Sequence, residues 1–145
     1  MGRFLLPLLI MTFCFGHAKE LAFQNAKICL GCYKVTVHII NAIPDQATSL
    51  TFRCQSKDDD LGNHTTKYRE EFYWRFVPNA WGSTLFFCHF YWGSKQRVFA
   101  VYDRKIEDFC GRWELYHHNC YYEVRPDGFY RSFNLQLWYK FNDWI

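Results

Sequence analysis

Val35-Thr36-Val37-His38-Ile39-Ile40 places aliphatic side chains at every second position. Successive strand residues point to opposite faces, so this spacing gives a strand with Val35, Val37 and Ile39 on one side. The same period recurs outward from it. Leu50, Phe52 and Cys54 alternate with Ser49, Thr51 and Arg53, and Phe72, Trp74 and Phe76 alternate with Glu71, Tyr73 and Arg75. Further along, β-branched and aromatic residues fill Ser83 to Trp92 and Arg97 to Tyr102, separated by Gly93-Ser94-Lys95-Gln96, which suits a short hairpin turn. Cys120 to Arg125 runs into Pro126-Asp127-Gly128, where proline presets one turn position and glycine accepts a positive φ. Phe129 to Phe133 and Leu135 to Phe141 complete the series. About eight short strands with turn signals between them predict an all-β sandwich or barrel. Arg104 to Tyr116 admits a helical turn, but Cys110 and Gly111 argue for an irregular loop.

The N-terminus sets the compartment. After Arg3, the stretch from Phe4 to Phe15 is apolar except for Thr12, and Gly16-His17-Ala18 follows with small residues where a signal peptidase inspects the chain. The run is too short to span a bilayer, which takes about 20 apolar residues. Residues 1–18 therefore read as a signal peptide cleaved after Ala18, residues 19–33 as an N-terminal arm without clear alternation, and residues 34–145 as one domain. The expected address is secreted and extracellular, with no membrane insertion and a monomeric state. Loss of Arg3 takes the formal charge from +3 to about +2, too weak a balance for a nucleic-acid partner.

Cysteine usage agrees. Of seven cysteines, Cys14 falls in the signal peptide, leaving Cys29, Cys32, Cys54, Cys88, Cys110 and Cys120. An even set in a small secreted chain reads as disulfides rather than metal ligands or a catalytic thiol. Aromatic residues make up 21% of the chain, and the consecutive pairs Tyr91-Trp92 and Tyr121-Tyr122 cannot all face inward on strands. Some aromatic surface must then be exposed, as binding sites often are.

Cys54-Gln55-Ser56-Lys57-Asp58-Asp59-Asp60-Leu61-Gly62 resembles the Cys-Lys-Ser-Lys-Asp-Asp-Asp-Leu-Gly element of the plant self-incompatibility S-protein homologue family. Other features of that family follow in order: Phe72-Tyr73-Trp74-Arg75-Phe76, Thr84-Leu85-Phe86-Phe87-Cys88, Cys110, Cys120 and Asp127-Gly128-Phe129-Tyr130. The resemblance spans about Val35 to Trp144. It implies a small antiparallel β-sandwich stapled by two or three disulfides, secreted as a signalling ligand, with pistil ligands that reject self pollen through a membrane receptor as the best-known members. Gln55 and Phe87 depart from the family's usual lysine and tryptophan, and the Cys29/Cys32 pair lies outside its four-cysteine pattern. Cys54, Cys88, Cys110 and Cys120 match that pattern and admit three pairings. The nested one, Cys54 to Cys120 and Cys88 to Cys110, is the expectation, and its loops would stabilise the fold by about 4 and about 3 kcal/mol.

The remaining chemistry-bearing residues are few. Cys29-Leu30-Gly31-Cys32 has redox-motif spacing but lacks the strand-then-helix setting that depresses a thiol pKa, so a local or tail-pinning disulfide is expected. Asp58, Asp59 and Asp60 lack the glycine and glutamate spacing of a calcium loop. They read as a tight polar loop over Leu61, and as a candidate partner-binding loop. Asn63-His64-Thr65 is an N-glycosylation sequon in what is expected to be an exposed loop. His117 and His118 point apart on an extended chain and have no third ligand at metal spacing. No nucleophile has a recognisable base partner, so neither an enzyme nor a cofactor is expected. The partner implied by the resemblance is a cell-surface receptor. The alternative is a cell-wall carbohydrate-binding or defence protein that stacks sugars on exposed rings such as Trp92 and Tyr121. A secreted ribonuclease would need a histidine pair that His117 and His118 do not resemble.

Overall fold

A computed structural model describes residues 33–44, 48–111 and 115–145. The predicted signal peptide, the arm apart from Tyr33, and Cys29 and Cys32 lie outside the described residues. Val35, Val37 and Ile39 are fully buried along β1 (Lys34–Asn41), as their alternation requires. The other strands are β2 (Leu50–Gln55), β3 (Asp60–Thr66), β4 (Glu71–Phe76), β5 (Phe86–Trp92), β6 (Lys95–Tyr102), β7 (His117–Arg125), β8 (Gly128–Ser132) and β9 (Tyr139–Asn142). One short helix, α1 (Arg104–Cys110), follows β6.

The strands form two sheets, a five-stranded one ordered β4-β1-β7-β8-β9 and a four-stranded one ordered β3-β2-β5-β6. This is the sandwich the sequence predicts. Every ladder is antiparallel except β1 with β7, which run parallel in register from Lys34↔His117 to Asn41↔Val124. Parallel neighbours cannot be joined by a hairpin. Between β1 and β7 the chain accordingly builds the whole second sheet and α1.

Apolar faces meet in the middle. Phe90 on β5 is fully buried and touches Phe52 and Phe99 of its own sheet and Phe129 of the opposite one, with ring centroids 5.6, 5.0 and 5.1 Å away. Burying a side chain of that size is worth about 3 kcal/mol at most by area. Tyr122 enters the same core and donates its hydroxyl to the Val101 carbonyl at 2.7 Å, so the buried polar atom is satisfied. Burial pushes its phenol pKa up.

The disulfides correct the nested expectation. Cys54 bonds to Cys88, and Cys110 to Cys120. Cys54 and Cys88 stand directly opposite on the neighbouring strands β2 and β5, with Cα atoms 4.1 Å apart. Cys120 belongs to β7 in the other sheet, whereas Cys88 faces Cys54 within its own, so the β2–β5 register decides the pair. Its partner Cys110 comes instead from the end of α1, at a Cα separation of 5.0 Å.

Several boundaries also move. The run from Ser83 starts its strand only at Phe86, because Asn79, Ser83 and Thr84 close a side-chain-bonded turn: the Asn79 amide donates to Thr84 Oγ1 at 2.8 Å and the Ser83 amide to Asn79 Oδ1 at 2.9 Å. The run from Leu135 pairs only from Tyr139. Ser132 Oγ and Asn134 Oδ1 accept the amides of residues 134 to 137, and Leu135 adopts φ +62°. The expected loop after Asp103 is helix α1, started by Asp103 Oδ1 accepting the Ile106 amide at 2.8 Å. The β5–β6 turn is only Gly93-Ser94, with Gly93 at φ +59°. At the β7–β8 turn Gly128 has φ +140°, and a Cβ there would meet the Asn142 carbonyl oxygen at 2.4 Å.

Residues 142–145 cross from one sheet to the other. Gln96 and Ile145 exchange backbone hydrogen bonds, both at 3.0 Å, and Arg97 donates to Asn142 Oδ1 at 2.6 Å. Trp144 packs on Phe129 at 4.5 Å and donates its indole N–H to the Arg125 carbonyl at 2.9 Å.

Candidate functional site

The β2–β3 connection holds the aspartate string, and its shape comes from two side chains. Ser56 Oγ accepts the amides of Asp58 and Asp59 at 3.3 and 3.0 Å, and the Ser56 amide donates to the Asp59 carbonyl at 2.7 Å. Asp60 opens β3, where its carboxylate accepts from Arg53 and from the Gly62 amide at 3.0 Å. The Arg53 hydrogen bonds first, and then that amide, hold its pKa down at about 2. Leu61 tucks against the core beneath. Asp58 and Asp59 are exposed at the tip, and no partner for either side chain occurs among the described residues. The three aspartates thus divide into one structural residue and two that face solvent. Among the described residues, no three His, Cys, Asp or Glu side chains gather as metal ligands do.

Asn63 lies on strand β3 rather than in a loop, exposed, opposite Arg53. The sequon threads the edge strand so that Asn63 and Thr65 face outward. His64 between them turns in, its ring 3.7 Å from that of Phe72 and its Nε2 donating to the Leu61 carbonyl at 2.8 Å. His117 and His118 diverge as neighbours on a strand do: His117 is exposed, while His118 stacks at 4.2 Å on Tyr33, whose hydroxyl donates to Glu107. Burial pushes the Glu107 pKa up.

The two outer faces differ in chemistry. On the five-stranded sheet, His38 bonds to Glu71 and to Asn119 Oδ1 at 3.2 Å and stacks on Tyr121 at 4.4 Å. Next to it, the nearly buried Glu123 accepts from Arg125 Nε at 2.7 Å and lies 3.7 Å from Arg69. The Arg125 guanidinium sits 3.9 Å over the Tyr130 ring, and Tyr130 donates to Asp127 at 2.6 Å, which holds the Asp127 pKa down. A shallow depression of about 320 Å³ at this end is lined by Tyr68, Arg69, Glu123, Arg125 and Asp127, so its charges are already balanced.

The four-stranded sheet presents Phe87, His89 and Tyr91 from β5, Val98 and Ala100 from β6, and Thr51 and Arg53 from β2. His89 and Tyr91 stack at 4.1 Å and share a hydrogen bond of 2.7 Å between the Tyr91 hydroxyl and His89 Nδ1. Of each consecutive aromatic pair, one ring faces out and one in. Trp92 is the inward member of its pair, packed toward Trp144 at 5.8 Å with Lys95 over its ring, so Tyr91 takes the outward position in its place. Phe87, His89, Tyr91 and Val98 were not singled out together by the sequence. Their signal was present in Phe86-Phe87-Cys88-His89-Phe90-Tyr91, which is bulky and ring-rich in both phases of the alternation.

Comparisons with known proteins agree on one family. The family model described as plant self-incompatibility protein S1 matches residues 36–144. S-protein homolog 24 of Arabidopsis thaliana is 33% identical over 146 aligned residues, covering 98% of this chain and 89% of the relative. S-protein homolog 5 of the same plant is 41% identical over 80 residues, covering 54% of this chain and 57% of the relative, so the chain spans little more than half of that protein. A solved structure matches with a TM-score of 0.60 and 18% identity over 79% of this chain and 96% of its own, which shows the shared fold. That structure is described as one of the self-incompatibility protein homologues, a widespread family of small, highly stable, secreted proteins from plants.

Proposed function

The chain belongs to the plant self-incompatibility protein S1 family, and on that premise we propose that it is a secreted ligand that binds a cell-surface receptor, with pollen–pistil recognition as one setting for such a signal. The observation that carries this reading is the division of labour in the β2–β3 hairpin. Ser56 and Asp60 fix its shape, while Asp58 and Asp59 stand exposed at its tip. A loop already shaped by its scaffold loses little conformational freedom when a partner engages it. Two exposed carboxylates fit a basic receptor surface and steer its approach, an attraction that weakens with added salt.

The test uses the secreted full-length product. Its N-terminus is expected at Lys19, the residue after the predicted cleavage site. Labelled protein added to intact plant cells or pollen is expected to bind a saturable surface site, and Asp58→Asn/Asp59→Asn to weaken that binding about tenfold while leaving the melting temperature unchanged. No saturable binding by the unaltered protein on any tissue of the source plant would overturn the ligand reading.

A further inference from the structure

The outer face of the four-stranded sheet leaves large apolar groups in solvent. Phe87, Tyr91 and Val98 are 36%, 42% and 54% exposed. The ladder registers put Asn63 in line with this patch. Arg53 stands opposite both Asn63 on β3 and His89 on β5, and His89 stands opposite Val98, so Asn63, Arg53, His89 and Val98 form one row across the sheet. In the adjacent row lie Thr65, Thr51, Tyr91 and Gln96. Neighbouring strands are about 4.8 Å apart, so His89 lies about 10 Å from the sequon asparagine.

Only Arg53 stands between, and its guanidinium is tied to one side. Its guanidinium is held by Asp60, towards the β2–β3 loop, whereas Tyr91 lies towards the opposite end of β2. The His89 and Tyr91 rings are meanwhile kept together by their mutual hydrogen bond and by His89 Nε2 bonding to Gln96 Oε1 at 3.0 Å. The two rings are stacked on each other, so the pair turns its outer edges and free faces to solvent, with polar groups at its rim, and these offer C–H contacts to a pyranose.

We propose that Asn63 carries an N-linked glycan whose first sugars lie across Arg53 onto the His89–Tyr91 platform and cover it. Two pyranose rings joined in line span a length comparable to the gap. The sugar is the occupant because it is tethered: attachment at the edge of the row gives it a high effective concentration at the platform, which a free wall saccharide lacks. The same glycan blocks the open edge of β3 to strand addition by another chain. The inference requires passage through the secretory pathway and is independent of any receptor.

The test takes the full chain secreted from plant cells. Peptide mass mapping is expected to find Asn63 modified, and NMR to show cross-relaxation between the N-acetyl protons of the first sugars and the Tyr91 ring. Enzymatic release of the glycan is expected to lower the melting temperature of the unaltered protein by several degrees and to raise its binding of an apolar fluorescent dye severalfold. Both changes are expected to vanish in Tyr91→Ser/His89→Ser. An unmodified Asn63 overturns the proposal. So does the absence of sugar-to-Tyr91 contacts, an equal effect of glycan release in both proteins, or binding of free saccharide to the platform with Asn63 occupied.

Discussion

The outer faces of the two sheets solve the same problem in different ways. On the five-stranded sheet the polar groups satisfy one another: His38 with Glu71 and Asn119, Glu123 with Arg125, Tyr130 with Asp127. On the four-stranded sheet, rings and aliphatic groups stand in solvent beside a sequon. The difference shows that exposure alone does not rank surfaces. Self-paired charge leaves little for a partner to gain, because any new contact must first replace an internal one. Uncovered apolar area has no such cost.

Both faces depend on one core, so the largest expected effect should not distinguish them. Phe90→Ala opens a cavity between the sheets and is expected to cost about 3 to 5 kcal/mol, read as a lower urea midpoint at an unchanged slope. If spectroscopic probes on the two faces then unfolded at separate midpoints, the sheets would be independent units. Next come the bridges. Cys54→Ala/Cys88→Ala opens a loop of separation 34 and is expected to cost about 4 kcal/mol, against about 3 kcal/mol for the separation of 10 in Cys110→Ala/Cys120→Ala, taking chain entropy alone. Non-reducing peptide mapping is the direct check on the pairing itself.

A sharper contrast comes from one substitution on each face. Glu123→Ala strands the Arg125 guanidinium and is expected to cost about 2 kcal/mol. Val98→Thr, exposed and without a polar network, is expected to stay within about 0.5 kcal/mol in protein lacking the glycan. Equal costs in chemical denaturation would erase the distinction between the faces. The smallest effect is set by pH. Asp60 has a folded pKa of about 2, below the ordinary carboxylate value of about 3.9, so its contribution is present in full above the ordinary value and is lost as pH falls through the folded one. Acid titration of stability between about pH 4 and about pH 2 should therefore be shallower in Asp60→Asn than in the unaltered chain.

Most of the sandwich was legible because most strands bury one face, and a buried face writes itself as alternation. Strand β3 was not read, since its inward side chains are Leu61, His64 and Thr66, two of them polar, and Gly62 with φ +79° puts Leu61 out of step with the other two. An edge strand with few apolar anchors is held mainly by its neighbour's backbone, and backbone pairing leaves no trace in side-chain pattern. Disulfide connectivity was hidden for a related reason. Whether Cys54 meets Cys88 depends on the register of β2 against β5, a property of two strands together. Helix α1 rests on one Asp103 cap and seven residues, short enough for its cysteine and following glycine to outweigh it in the sequence. At the candidate site the same limits apply. The aspartates were visible as a loop, but the assignment of Asp60 to structure needed Arg53 on the opposite strand.

The crossing of residues 142–145 bears on how the molecule opens. Because Gln96 and Ile145 hold each other's amides, β9 cannot peel from one sheet without releasing the rim of the other. Amide hydrogen exchange at these two positions is therefore expected to report one shared opening of this seam. Trp144, seated between Phe129 of β8 and Trp92 of β5, places an indole at that seam. It is one of six tryptophans, so the part of the emission lost in Trp144→Phe is the gauge of whether the halves are joined.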